Sequence, residues 1–283
     1  MTLSATPLTD DMLRAWLPPR PRASHKGDYG HVLVVGGDHG MAGAVRLAGE
    51  AAARVGSGLV SVATRLDHAA VIAAARPELM CHGVECARDL CVLLQRASVV
   101  AIGPGLGQST WARELLAALL QTHSPLVVDA DALNLLAQEP TRRDHWILTP
   151  HPGEAARLLD MTTGQIQADR LYAVQALQQR YGGVCVLKGA GSLVCASGSI
   201  AICEAGNPGM ASGGMGDVLT GIIAGLLAQG LSLVDAACAG VYIHAKAGDR
   251  AAQEGERGLL ASDLMPHLRQ LVNPARKHGL RAK

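Results

Sequence analysis

The sequence predicts an α/β fold, a mostly parallel central sheet with helices on both faces. Three observations point to it. Apolar runs of strand length alternate with alanine- and leucine-rich helical stretches from His31 to Leu187, the pattern of strand–helix–strand units. Glycine, proline or an acid follows nearly every run, as turns at strand exits require. Hydrophobic residues make up 49% of the 283 residues, ample for a buried core. No long linker or internal repeat breaks the pattern. We therefore expect one domain over residues 26–283, preceded by an amino-terminal extension, residues 1–25.

Residues 9–16 read as a short helix, followed by a proline-rich connector from Pro18 to Pro21. His31–Val35 is an apolar strand closed by Gly36-Gly37, and residues 43–55 form an alanine-rich helix stopped by Gly56 and Gly58. Leu59–Thr64 is a second strand, after which Asp67 is expected to cap a helix reaching about Ala75. Residues 98–102 form a strand, and residues 109–120 a helix with Ser109 as its cap. A strand over residues 126–129 ends in Asp129-Ala130-Asp131 and leads into a short helix through Asn134. Trp146–Leu148 is a strand, residues 165–181 a helical stretch, and Val184–Leu187 a strand. A hairpin of residues 192–195 and 200–202 turns at Ser197-Gly198, and three helical segments close the chain, the last near residues 262–272.

Composition excludes several classes of function. There is no Phe, aromatics are 2% and the net charge is +1, so neither stacking platforms nor a basic surface for nucleic acid are expected. Seven cysteines lack CxxC pairs, and Cys81, Cys86 and Cys91 recur at a spacing that spreads them around a helix. They read as buried thiols in a reducing compartment. Residues 218–234 carry no charge but contain Gly221, Gly225 and Gly230. That segment is short for a bilayer and reads as a core helix followed by a turn. With no signal peptide visible, a cytoplasmic protein without membrane contact is expected.

The stretch that organises the chain is residues 207–225, NPGMASGGMGDVLTGIIAG. Gly213, Gly214 and Gly216 let backbone N–H groups approach a ligand. A helix starting at about Gly216 aims free N–H groups and its positive dipole end at them, which makes a phosphate site. Asp217 at that helix mouth has two readings, a helix cap or a catalytic carboxylate. Other strand exits are ambiguous in the same way. Gly103-Pro104-Gly105-Leu106-Gly107 either makes a turn or meets a ligand, and Lys188 is either solvated or set against nucleotide phosphates. Asp129 and Asp131 either cap a helix or hold Mg²⁺ through water. His151, between two prolines, is either presented to a ligand or a plain surface residue.

Seven motifs in order, KGDYGHVLVVGG, MAGAVRLA, IGPGLG, VVDADALN, TPHPGE, KGAGSLV and NPGMASGGMGDVLTGIIAGLLAQG, make the chain resemble the ADP- or ATP-dependent NAD(P)H-hydrate dehydratases. These form the carboxy-terminal half of two-domain cofactor-repair proteins and have the ribokinase-like fold. The resemblance runs from Lys26 to about Ala261. It implies removal of water from the hydrate of NADH or NADPH at the expense of ADP or ATP, with Mg²⁺ held largely by the nucleotide. It further implies Asp217 as the base and Lys188, Gly189, Ala190, Gly191, Ser192, Gly213, Gly214 and Gly216 as nucleotide contacts. Ala44, Gly105, Gly107, His151 and Asp217 would contact the hydrated dinucleotide. A homotetramer follows from the resemblance alone. Residues 1–25 are too few for the epimerase domain of longer members, so a stand-alone dehydratase is expected.

Two other functions compete. A hydroxyethylthiazole or hydroxymethylpyrimidine kinase shares Gly216-Asp217, but such kinases have Asn-x-x-Glu where this chain has His151-x-x-Glu154. A nucleotide-binding sensor without turnover would not need Asp217 in an intact glycine loop.

Overall fold

A computed structural model describes residues 4–273. The first half of the chain forms β1 (Ala5–Pro7), α1 (Asp10–Trp16), β2 (His31–Val35), α2 (Ala42–Arg54), β3 (Leu59–Thr64), α3 (Leu66–Ala75), β4 (Met80–Gly83), α4 (Ala87–Leu94), β5 (Val99–Ile102) and α5 (Thr110–Leu120). There follow β6 (Leu126–Val128), α6 (Ala130–Gln138), β7 (Trp146–Leu148), α7 (Pro152–Leu159), α8 (Thr163–Ala168) and α9 (Arg170–Tyr181). The remainder is β8 (Val184–Leu187), β9 (Ser192–Ala196), β10 (Ser199–Cys203), α10 (Met215–Ala228), α11 (Leu233–Ala251) and α12 (Met265–Leu271).

All ten strands lie in one sheet, in the order β1-β10-β9-β8-β7-β6-β5-β2-β3-β4. Pairing is parallel except where β9 runs against β8 and β10. Along each strand alternate residues face opposite sides. Val32 and Val34 of β2 enter a core shared with α2, α10, α11 and α12. Leu33 and Val35 enter the other core, with α5, α6, α7 and α9. Two cores on one sheet is the three-layer arrangement expected from the sequence.

The small residues of α10 and α2 explain how closely these helices meet. A Cβ on Gly221 would run into the backbone of Ala48, and one on Gly225 would lie 2.8 Å from the Ala52 carbonyl. Gly221 and Gly225 of the uncharged segment thus form a packing seam. Among the described residues no helix is long and apolar enough to cross a membrane.

Several boundaries differ from expectation. Arg65 occupies the cap position of α3, and Asp67 lies in its first turn. The stretch 165–181 is two helices, because Asp169 breaks it and accepts from the Tyr172 amide at 2.9 Å to start α9. The cysteine trio does not share a helix: Cys81 is in β4, Cys86 caps α4 and Cys91 lies within α4. β1 and β4 are short edge strands, and β1 pairs with β10.

The strand order reverses between β2 and β5, since successive crossovers run outward from them in opposite directions. Open parallel sheets form a ligand crevice at such a point, beyond the carboxyl ends of the strands. The loops after β2 and β5 flank it.

Candidate active site

At the mouth of α10 the backbone turns through Gly214, whose φ of 89° is in the left-handed region. A Cβ there would also lie 2.7 Å from Leu47 Cδ1. Glycine is required on both counts. The helix begins at Met215, so its first amides are free of intrahelical partners. Asp217 sits in the first turn and is not the cap, which excludes the plain capping reading. Its carboxylate makes no hydrogen bond to any described residue. Burial first, then the charges of Asp129 and Asp131, push its pKa up to about 7, while Lys188 opposes the rise. A carboxylate so placed can accept a proton near neutral pH.

Against that turn lies a buried charge cluster. Asp129, at the end of β6 and 1% exposed, accepts from Lys188 Nζ at 2.6 Å and from Thr220 Oγ1 at 2.8 Å. The Lys188 ammonium is also 3.8 Å from Glu154 Oε2. Burial favours its neutral form, but Asp129, Glu154 and Asp217 outweigh burial and hold its pKa above the ordinary lysine value. A Cβ on Gly216 would stand 3.4 Å from both Asp129 Oδ2 and Lys188 Nζ, so the cluster underlies the first turn of α10. Lys188 is not a solvated lysine.

Glu154 is the reciprocal half of a helix cap. His151 Nδ1 accepts from the Gly153 amide at 2.9 Å and the Glu154 amide at 3.4 Å, and Glu154 Oε2 accepts from the His151 amide at 2.8 Å. His151 Nε2 lies 3.3 Å from Glu154 Oε1. Burial and then Lys188 lower the histidine pKa, so a neutral ring capping α7 with Nδ1 carries its proton on Nε2. Burial, partly offset by Lys188, raises Glu154 to about 7.

At the switch point the loops after β2 and β5 interlock. Gly37 donates to the Pro104 carbonyl at 3.0 Å, and Asp38 donates its amide to Gly105 at 2.6 Å. A Cβ on Gly105 would meet that of Ala44 at 3.1 Å, while Gly107 donates to Asp131 Oδ2 at 2.9 Å. Ala44, Gly105 and Gly107 therefore line one crevice. Asp38 pins it: its carboxylate accepts from Arg65 Nε at 2.7 Å and Ser109 Oγ at 2.9 Å. Burial raises its pKa, but Arg65, the His39 amide and Ser109 together bring it below the ordinary value.

The segment Lys188–Ser192 forms a tight turn in which Ser192 Oγ donates to the Gly189 carbonyl at 2.9 Å. The Arg170 guanidinium supports it from below, donating to Leu187, Lys188 and Gly191 carbonyls at 3.1 to 3.5 Å. Gly189 and Ala190 are exposed above it.

The structure thus gathers Lys188, Gly216 and Asp217 tightly, places His151 beside them through Glu154, and sets Ala44, Gly105 and Gly107 at the neighbouring crevice. Asp38, Arg65, Arg170 and Thr220 were not singled out as site residues from the sequence, and Glu154 entered only as the end of the His151-x-x-Glu154 pattern. Their partners are mostly distant in the chain, and only the Gly36-Gly37-Asp38 strand exit signalled one of them. Asp129 accepts from Lys188 and Thr220, while Asp131 Oδ2 accepts from the Gly107 amide. Among the described residues no three groups of His, Cys, Asp or Glu could hold a metal ion together.

A family model described as NAD(P)H-hydrate dehydratase matches residues 32–270. The chain belongs to the NAD(P)H-hydrate dehydratase family. It is 61% identical to the bifunctional NAD(P)H-hydrate repair enzyme of Coxiella burnetii over 94% of this chain and 56% of that protein. It therefore spans about half the length of the bifunctional relatives it matches. An ADP-dependent (S)-NAD(P)H-hydrate dehydratase of Neisseria meningitidis is 41% identical, over 90% of this chain and 88% of the relative. The fold is ribokinase-like. The ADP/ATP-dependent NAD(P)H-hydrate dehydratase of Bacillus subtilis, co-crystallised with ATP and Mg²⁺, superposes with a TM-score of 0.84 at 29% identity, covering 96% of this chain and 99% of that one. A hydroxyethylthiazole kinase of Pyrococcus horikoshii shares the fold (TM-score 0.60) at 14% identity, a likeness of fold alone.

Proposed function

We propose that this chain restores NADH and NADPH from their hydrates, using ADP or ATP as the phosphoryl donor. The observation that carries the reading is Asp217: a half-buried carboxylate with no hydrogen-bond partner among the described residues, at a helix mouth lined by glycine, with its pKa raised to about 7.

The hydrate carries a hydroxyl where water has added across the 5,6 bond of the nicotinamide ring, and hydroxide is a poor leaving group. Phosphorylation of that hydroxyl makes it a good one. Asp217 takes the hydroxyl proton as the oxygen attacks the terminal phosphorus of the nucleotide, a service worth about 10²–10⁴ in rate. The free amides at the start of α10, with Gly213 and Gly214 before them, stabilise the charge on the transferring group. The carbon–oxygen bond then breaks, phosphate leaves, the neighbouring ring carbon loses its proton and the double bond returns. With ADP as donor the products are NAD(P)H, AMP and phosphate.

In this reading the turn from Lys188 through Gly189, Ala190 and Gly191 to Ser192 receives the adenine nucleotide, with Gly213, Gly214 and Gly216 at its phosphates. Ala44, Gly105, Gly107 and His151 receive the dinucleotide. The Lys188 ammonium, held at Asp129, serves chiefly to balance the carboxylates under the reacting groups. Among the described residues no three His, Cys, Asp or Glu groups gather as a metal site; Mg²⁺ is assigned to the nucleotide phosphates, and no step here depends on a protein-held metal. A homotetramer, on the resemblance alone, and a cytoplasmic location, on the cysteine usage, complete the proposal.

Incubation with purified NADH hydrate and ADP or ATP in parallel tests the reading. Return of the reduced-nicotinamide absorbance with stoichiometric phosphate release supports it. Nucleotide binding without recovery of that band refutes it.

A further inference from the structure

The glycine loop before α10 is held by the face of another helix. Asp249 of α11 accepts from the Gly206 amide through Oδ2 and from Asn207 Nδ2 through Oδ1, each at 3.1 Å. Asn207 Oδ1 in turn accepts from the Gly209 amide at 3.0 Å. Three hydrogen bonds thus run from one carboxylate through one amide side chain into the turn that opens the loop.

Two glycines make this contact possible. A Cβ on Gly248 would run into the Met210 side chain, and one on Gly209 would meet the Glu256 carbonyl at 2.6 Å. Farther along, Ser212 Oγ donates to the Leu259 carbonyl at 3.0 Å. One turn before Gly248 on the same helix, His244 lies against Met215, the first residue of α10, and its Nε2 is buried without a partner. The α11 face therefore touches the loop at its entry and at its exit.

We infer that Asp249 is a positioning residue for the nucleotide: acting through Asn207, it sets the path of residues 206–215 so that the amides at Gly213–Gly216 meet the phosphates. The inference rests on assigning that loop to the nucleotide, as proposed above. An oxyanion-binding loop works by being organised before the ligand arrives, and a loop of glycines left untethered would lose that organisation to backbone entropy.

The relay can be exchanged. With Asp249→Asn alone, one amide N–H faces a donor and one bond is lost. With Asn207→Asp added, Gly206 donates to the new amide oxygen at 249, the amide N–H at 249 donates to the carboxylate at 207, and that carboxylate accepts from Gly209. All three bonds return.

The test measures ADP affinity by calorimetry, KM for ADP and for NADH hydrate, and the melting temperature without ligand. For Asp249→Asn we expect about a tenfold weaker ADP affinity, the scale of one lost charge-assisted hydrogen bond, with KM for the hydrate little changed. The Asn207→Asp/Asp249→Asn pair should return ADP affinity to within about threefold of the unmodified chain. A lower melting temperature with unchanged ADP affinity in Asp249→Asn would overturn the inference, as would a double variant no better than the single. Should the unmodified chain bind ADP yet never restore the cofactor, the dehydratase reading falls while the affinity arm still decides this one.

Discussion

Replacing Lys188 by Met leaves Asp129 and Glu154 buried at 1% and 5% exposure, with Thr220 as the remaining side-chain partner of Asp129. Removing one member of a buried ion pair typically costs about 3–5 kcal/mol, because the other charge stays uncompensated. The Lys188 side chain is itself 17% exposed, so water relieves part of that cost and about 3 kcal/mol at pH 8 is expected. The loss must depend on pH. Glu154 titrates at about 7 in the folded protein, above its ordinary 4.5. A carboxylate raised in this way contributes stability fully present below its unfolded pKa and lost as pH rises through the folded one. Lys188 restrains that rise, so its removal pushes Glu154 higher, and between pH 5 and pH 8 the deficit widens once pH passes about 7. Urea unfolding of both proteins across that range is the assay. A deficit below about 1 kcal/mol that does not change with pH would refute the reasoning, since it is the size expected of an exposed pair.

Three further outcomes follow from the same geometry. Because Asp217 must be unprotonated to act and titrates at about 7, kcat/KM for the hydrate should fall about tenfold per pH unit below neutrality; a flat profile from pH 5.5 to 8 would contradict this. The Asp217→Asn variant should be more stable than the unmodified chain at pH 8, by about 1–3 kcal/mol, with the gap narrowing as pH falls below about 7 and closing only near 3.8. The sign follows because the raised carboxylate loses its stabilising contribution as pH climbs from 3.8 to about 7, and equal urea midpoints at pH 8 would remove burial as the cause. For His151, an alanine forfeits the α7 cap, costing about 1 kcal/mol, whereas an asparagine keeps it. A higher KM for the hydrate in both, with stability lost only in the alanine variant, is expected; an unchanged KM in His151→Asn would remove the ring from the dinucleotide site.

Much of the fold was legible because strand and helix signals are local. The runs His31–Val35, Leu59–Thr64 and Val184–Leu187 are short and apolar, the first closed by Gly36-Gly37 and the last by Lys188-Gly189, and each is a strand with those bounds. What escaped was either too brief or too distant. β1 and β4 carry no apolar run, and the pairing of β1 with β10 joins residues almost two hundred apart. The site was legible as a set of loops but not as a network. Asp129 and Lys188 are 59 positions apart and Asp38 and Arg65 are 27. No spacing rule reveals such pairs. The choice between cap and catalyst at Asp217 needed the backbone, because only the φ of Gly214 shows where the helix starts. Neither earlier reading of His151 included what the structure shows, an exposed residue whose ring caps α7 beside the charge cluster.

The most direct test compares the unmodified chain with Asp217→Asn on NADH hydrate and ADP, with ADP affinity measured separately. Cofactor recovery abolished while ADP binds as before is the result this account requires. An asparagine variant that still regenerates NADH at a comparable rate would show that the proton leaves the ring hydroxyl by some other route.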